Sequence, residues 1–86
     1  MKLTDLKINQ TARIKGFLPG SKLYRQKLLA MGLTPGVTIT LVRIAPLGDP
    51  MEFRLRGFAL SLRKKECQVV ELELITASNI ETEPHA

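Results

Sequence analysis

Val37-Thr38-Ile39-Thr40-Leu41-Val42-Arg43-Ile44, Met51-Glu52-Phe53-Arg54-Leu55 and Phe58-Ala59-Leu60-Ser61-Leu62 follow one another within residues 37–62. In each, apolar side chains recur at every second position. Successive side chains of a strand point to opposite faces, so this period predicts three strands, each half-buried against a core. Gly57 permits a tight reversal between the last two. Pro46-Leu47-Gly48-Asp49-Pro50 is a loop held between two prolines. The phase slips after Leu41, because Val42 and Ile44 are apolar while Arg43 is not. A one-residue slip exchanges the faces, which predicts a bulge or sharp coil near Leu41–Val42.

Outward toward the N-terminus, Pro35-Gly36 is a turn signal. Before it, Ser21 to Gly32 reads as the one helix. Ser21 is placed as N-cap, and residues 22–31 are mostly strong helix formers. Tyr24, Leu28 and Met31 form a core stripe, and Gly32 takes the left-handed position that ends helices, with Leu33 as the accompanying apolar contact. Thr11 to Phe17 is a further strand, with Ala12 and Ile14 on its inner face and Arg13 and Lys15 on the other; Pro19-Gly20 ends it. Leu3 to Leu6 forms a short turn capped by Thr4. Toward the C-terminus, Arg63-Lys64-Lys65-Glu66 is read as a polar turn. Cys67 is a partly buried residue opening the last strand, in which Val70, Leu72 and Leu74 alternate with Glu71 and Glu73. About five short strands with a helix between the first two predict a mainly β fold, a small barrel. Residues 1–75 form its one domain, and residues 76–86, which lack periodicity, are expected to be a disordered tail.

Composition narrows the function. The 86 residues carry 13 Lys and Arg against 8 Asp and Glu, and the body without its last residues is more basic still. Such a surface attracts acidic partners, although solubility alone also calls for net charge. No apolar run approaches the length needed to cross a bilayer, and the N-terminus has no signal-peptide core; the expected location is the cytoplasm. The single His, His85, sits in the expected tail, where nothing would hold it rigidly for catalysis. One Cys and one His do not make a closed zinc site. The six glycines are scattered and form no phosphate-binding loop. The expectation is therefore a binding protein, not an enzyme, with no cofactor and no metal site. A nucleic-acid role rests on Arg43, Arg54, Arg56 and the 63–65 turn, but Phe53 and Phe58 fall in the inward phase and leave no stacking platform.

Tyr24-Arg25-Gln26-Lys27-Leu28-Leu29-Ala30-Met31-Gly32-Leu33-Thr34-Pro35-Gly36 resembles the signature of the FeoA family. Arg43 to Pro50 and Leu60 to Glu66 are similar to it as well, in the same order, so the resemblance runs from about Leu3 to Ile75. It implies an SH3-like β-barrel with a helical insertion after the first strand. It implies a cytoplasmic accessory of bacterial ferrous iron uptake whose partner is FeoB, a membrane iron transporter with a cytoplasmic GTP-binding domain. Contact with the inner face of the membrane would then run through that partner. The candidate contact residues are Arg25, Lys27 and Leu29 on the helix, Leu47 and Asp49 in the loop, and Arg63 and Lys64 in the basic turn. Docking alone and direct stimulation of GTP hydrolysis by an arginine (Arg25, Arg43, Arg54, Arg56 or Arg63) both stand open at this stage.

Overall fold

The computed structural model describes residues 1–75; the expected tail and His85 lie outside the described residues. Five strands, β1 (Thr11–Phe17), β2 (Thr38–Ile44), β3 (Met51–Leu55), β4 (Phe58–Leu62) and β5 (Val70–Leu74), form one antiparallel sheet in the order β4-β3-β2-β1-β5. The first helix, α1 (Lys22–Ala30), is inserted between β1 and β2. Residues 63–66 do not form a turn. A four-residue helix, α2 (Lys64–Cys67), links β4 to β5, and a single 3₁₀ turn, Leu3–Asp5, precedes β1. Thr4 does not cap that turn; the Lys2 N–H donates to Asp5 Oδ2 at 2.8 Å instead.

One cluster of buried side chains draws on every strand: Ala12 and Ile14, Ile39 and Leu41, Met51, Phe53 and Leu55, Leu62, and Val70 and Leu72. Leu3, Leu6, Leu28, Leu33 and Cys67 complete it. A single sheet whose two outermost strands share one core must curl around it. Two irregularities supply the bend. Between β2 and β3, Leu41 faces Phe53 and Arg43 faces Glu52, leaving Val42 as the extra residue where the apolar phase slips. Between β1 and β5 the register shifts between Ile14 and Gly16. Such bulges increase local twist and let a small sheet close on itself.

The connections follow their residues. Thr34-Pro35-Gly36-Val37 closes with a bond from the Val37 N–H to the Thr34 carbonyl, and Gly36 has φ +94°, the conformation a type II turn requires at its third position. Arg56 and Gly57 form a two-residue hairpin loop with φ of 52° and 82°. Both central residues of a type I′ turn need positive φ, and this turn matches the twist of the flanking strands. The edge of β5 away from β1 is covered by the start of the chain: Lys2 bridges to Glu71, and the Leu72 N–H donates to the Met1 carbonyl at 2.6 Å.

Cys67 does not open the last strand. It ends α2, fully buried. Burial first, then the negative charges of Glu66 and Asp49, pushes its thiol up to about 12, so a lysine neighbour does not activate it.

Two outcomes follow from this packing. Arg56 adopts a backbone conformation that costs an ordinary residue free energy and suits asparagine. Arg56→Asn should stabilise the domain by about 0.5–1 kcal/mol, raising Tm by roughly 2–8 °C in a thermal melt. Alkylation of Cys67 at mildly alkaline pH should be at least about a hundredfold slower in the native chain than in urea; comparable rates would show the thiol to be accessible.

Candidate docking surface

Helix α1 is anchored at one end and bare along most of its length. Of its nine residues only Leu28 is buried. Its C-terminus closes well. The Gly32 N–H bonds to the Leu29 carbonyl and the Leu33 N–H to the Leu28 carbonyl, with Gly32 at φ +101°. This is a Schellman ending, and its apolar contact is made by Leu28 and Leu33, both in the core. A side chain at Gly32 would also stand 3.4 Å from Phe58 Cζ, so the Phe58 ring lies against the helix exit. The N-terminus is looser. The Ser21 hydroxyl donates back to the Leu18 carbonyl instead of capping the first turn.

The expected core stripe is therefore mostly uncovered. Leu28 is fully buried, Met31 half-buried and Tyr24 exposed. Only the last turn sends a side chain, Leu28, into the core. Leu23 is 81% exposed and Leu29 37%. At about 100° per residue these two flank Leu28 on opposite sides, roughly 140° and 100° away from it. A soluble helix usually confines its leucines to the face that meets the core. Sequence periodicity singled out Leu29 as off the stripe. It passed over Leu23, whose spacing of five from Leu28 carries the same signal.

The remaining candidates converge on α2. The Glu66 carboxylate is buried, the one buried charged group among the described residues. Its Oε1 accepts the Arg63 N–H at 2.9 Å, reaching back to cap its own helix, and its Oε2 accepts from Lys27 Nζ of α1. Asp49 does not cap its own loop. Its Oδ1 accepts the Lys64 N–H at 2.9 Å, the first free donor of α2, and its Oδ2 lies 3.9 Å from Arg63 Nη1. Lys27, Asp49, Arg63 and Lys64 are thus brought together as a joint between α1, the 46–50 loop and α2. Arg25 and Leu29 remain on open sides of α1, and Leu47 stands 96% exposed at the loop tip. Phe58, expected inside, is 44% exposed, because the core ends before the hairpin does. No three of the described His, Cys, Asp and Glu side chains come together as a metal site, and no described helix is long and apolar enough to cross a membrane.

Burial alone would raise the Glu66 carboxyl. The hydrogen bonds from Lys27 and the Arg63 backbone, with the positive charges of both residues, outweigh it and hold the group below its ordinary value of 4.5. The sign follows: the contribution of Glu66 to stability is complete above the unfolded-state value and is lost as pH falls through the lower folded-state one. Glu66→Gln should cost about 1–3 kcal/mol near neutrality. In urea titrations the gap from wild type should shrink at about pH 3; an equal gap at both would remove the charge from the account.

Comparison with known proteins agrees with this geometry. A model of the FeoA domain matches residues 1–74. The Fe(2+) transport protein A/Fe(2+) transporter FeoB fusion protein of Porphyromonas gingivalis is 37% identical over 78 residues, covering 91% of this chain but only 9% of that protein. The chain thus spans less than a tenth of that relative. Among solved structures, the FeoA-like protein of Clostridium acetobutylicum superposes with a TM-score of 0.81 at 37% identity, covering 88% of this chain and 87% of that one. The zinc complex of Stenotrophomonas maltophilia FeoA, a prokaryotic SH3 domain protein, gives 0.74 at 20% identity over 85% of this chain and 89% of that one, a likeness of fold alone. With the sheet order, the inserted helix and a family match across nearly all the described residues, the chain belongs to the FeoA family of ferrous iron transport proteins.

Proposed function

We propose that the chain is an accessory protein that docks on the ferrous iron transporter FeoB through the open sides of α1. The observation that carries the reading is the Porphyromonas gingivalis protein, in which a domain like this one and the transporter share one polypeptide. Fusion supplies proximity through a high effective concentration. Where the two are separate polypeptides, contact has to supply it. Leu23 and Leu29 offer apolar anchors of the kind that carry interface affinity, with Lys22, Arg25 and Gln26 as a polar rim. The joint at Glu66 holds α1 in a fixed attitude while using Lys27 as a strut, so Lys27 serves the surface by positioning it.

Stimulation of GTP hydrolysis by an inserted arginine is narrowed by the ion pairs. Arg43 is bonded to Glu52 and Arg63 faces Asp49, whereas Arg25, Arg54 and Arg56 have no carboxylate partner among the described residues.

The test is retention of the chain by full-length FeoB in detergent, at low and moderate salt, with and without a GTP analogue. Retention should survive moderate salt. Leu23→Glu and Leu29→Glu should each weaken it at least about tenfold, and Leu47→Glu should leave it unchanged. Loss of retention with Leu47→Glu alone would move the contact to the loop; no retention of the wild-type chain in any state would end the docking reading.

A further inference from the structure

Among the described residues, one edge of the sheet has no backbone partner. Strand β4 pairs with β3 from Leu55↔Phe58 to Met51↔Leu62. A two-residue hairpin loop makes its flanking pair a hydrogen-bonded one, so Phe58, Leu60 and Leu62 turn their N–H and C=O groups toward β3. Those of Ala59 and Ser61 point the other way, and no backbone partner meets them among the described residues. The opposite edge strand, β5, is covered by Met1 and Lys2.

Proteins protect open edges with charge, proline or a bulge. β4 has none of these. Phe58-Ala59-Leu60-Ser61-Leu62 is uncharged, pairs with β3 in unbroken register, and presents two small exposed side chains on its outer face. Toward the core, Phe58 is 44% exposed and Leu60 half-buried, so the apolar layer continues to the edge. The flanks are basic. Arg54 lies directly across from Ala59, Arg56 precedes the strand, and Lys64 and Lys65 follow it; none is in an ion pair among the described residues.

We infer that the open edge of β4 accepts an extended acidic segment of a partner protein as a sixth, antiparallel strand. Main-chain bonds to Ala59 and Ser61 provide the pairing. Acidic side chains on the outer face meet Arg54 and Arg56, and apolar ones on the inner face cover Phe58 and Leu60. The segment has the pattern apolar–acidic–apolar–acidic. The other end of the sheet shows such a pairing within the chain: β5, Val-Glu-Leu-Glu-Leu, lies on β1 with Glu73 3.7 Å from Arg13. A second copy is the poorer occupant, because residues 1–75 carry 13 basic and 6 acidic residues, +7 on each body. The inference does not depend on FeoB being the protein that supplies the segment.

The probe is a capped hexapeptide of alternating glutamate and valine, added to the full chain and followed by amide NMR. The Ala59 and Ser61 amide protons should become at least about tenfold slower in exchange. Replacing glutamate by lysine should weaken binding at least about tenfold. N-methylation at the glutamates, which face β4 in an antiparallel pair, should abolish binding; at the valines it should not. Ser61→Pro deletes one outward donor and spares the ladder to β3, and should abolish binding with the spectrum of the folded chain intact. If that variant unfolds, Arg54→Glu supplies the second test and should weaken binding. The proposal is overturned if the peptide fails to bind at millimolar concentration, if binding leaves Ala59 and Ser61 unprotected, or if N-methylation at the glutamates is without effect. Protection that rises with protein concentration in the absence of peptide would assign the edge to a second copy, and overturns it equally.

Discussion

A buried carboxylate ties the two helices together. The Glu66 side chain is largely shielded from water, and leaving its charge unpaired there would be costly. It must therefore be partnered from several directions. The Arg63 N–H fixes the start of α2, and Lys27 pins α1 to it. Asp49 then finds the free N–H of Lys64, which draws the 46–50 loop onto the same short helix. Two helices and a loop, far apart in sequence, take their places around one side chain. The sheet is built differently, by aliphatic side chains that alternate, and it needs only to wrap around them.

That difference explains how much of the molecule could be read from its residues. Local rules act within a few positions, and they placed the five strands, the bend at Val42, the Pro35-Gly36 turn and the Gly32 ending of α1. The features that went astray depend on distant partners. Residues 63–66 look like a charged turn, because three of the four are basic. The acidic residue three positions after Arg63 is the trace of a helix start, but its burial depends on Lys27, 39 residues away. Phe58 obeys the alternation of its strand, yet it stands beyond the point where the core ends. Tyr24 is in phase with Leu28 but stays 38% exposed, one turn nearer the start of α1. Cys67 changed neighbours once α2 existed.

The proposed docking surface divides along the same line. Leu29 stands out in the sequence because it lies off the helical stripe, and it is 37% exposed. Leu23 violates it equally, and its exposure states the point more strongly. Of the charged candidates, Lys27, Asp49, Arg63 and Lys64 turn out to hold parts of the fold together, and Arg25 stays open. A charge in a sequence gives no sign of whether it will be engaged internally. In a chain with more than twice as many basic as acidic residues up to Ile75, the few carboxylates decide which cations are occupied and which are left to meet a partner.

The connection between β1 and β2 is long, from Leu18 to Val37, and α1 is its only regular part. The entropy of closing such a connection grows only slowly with its length. The sheet is therefore nearly indifferent to what the insertion contains, provided that Lys27 meets Glu66 and that Leu28, Gly32 and Leu33 seat its exit. Lys22 to Gln26 can change in size, charge or polarity with little consequence for the core beneath them. On the proposed docking, the architecture separates two kinds of sequence constraint, one for folding and one for partner contact, within adjacent turns of the same helix. A module of this design can be refitted to a different partner by altering a handful of positions, at little risk to the domain that carries them.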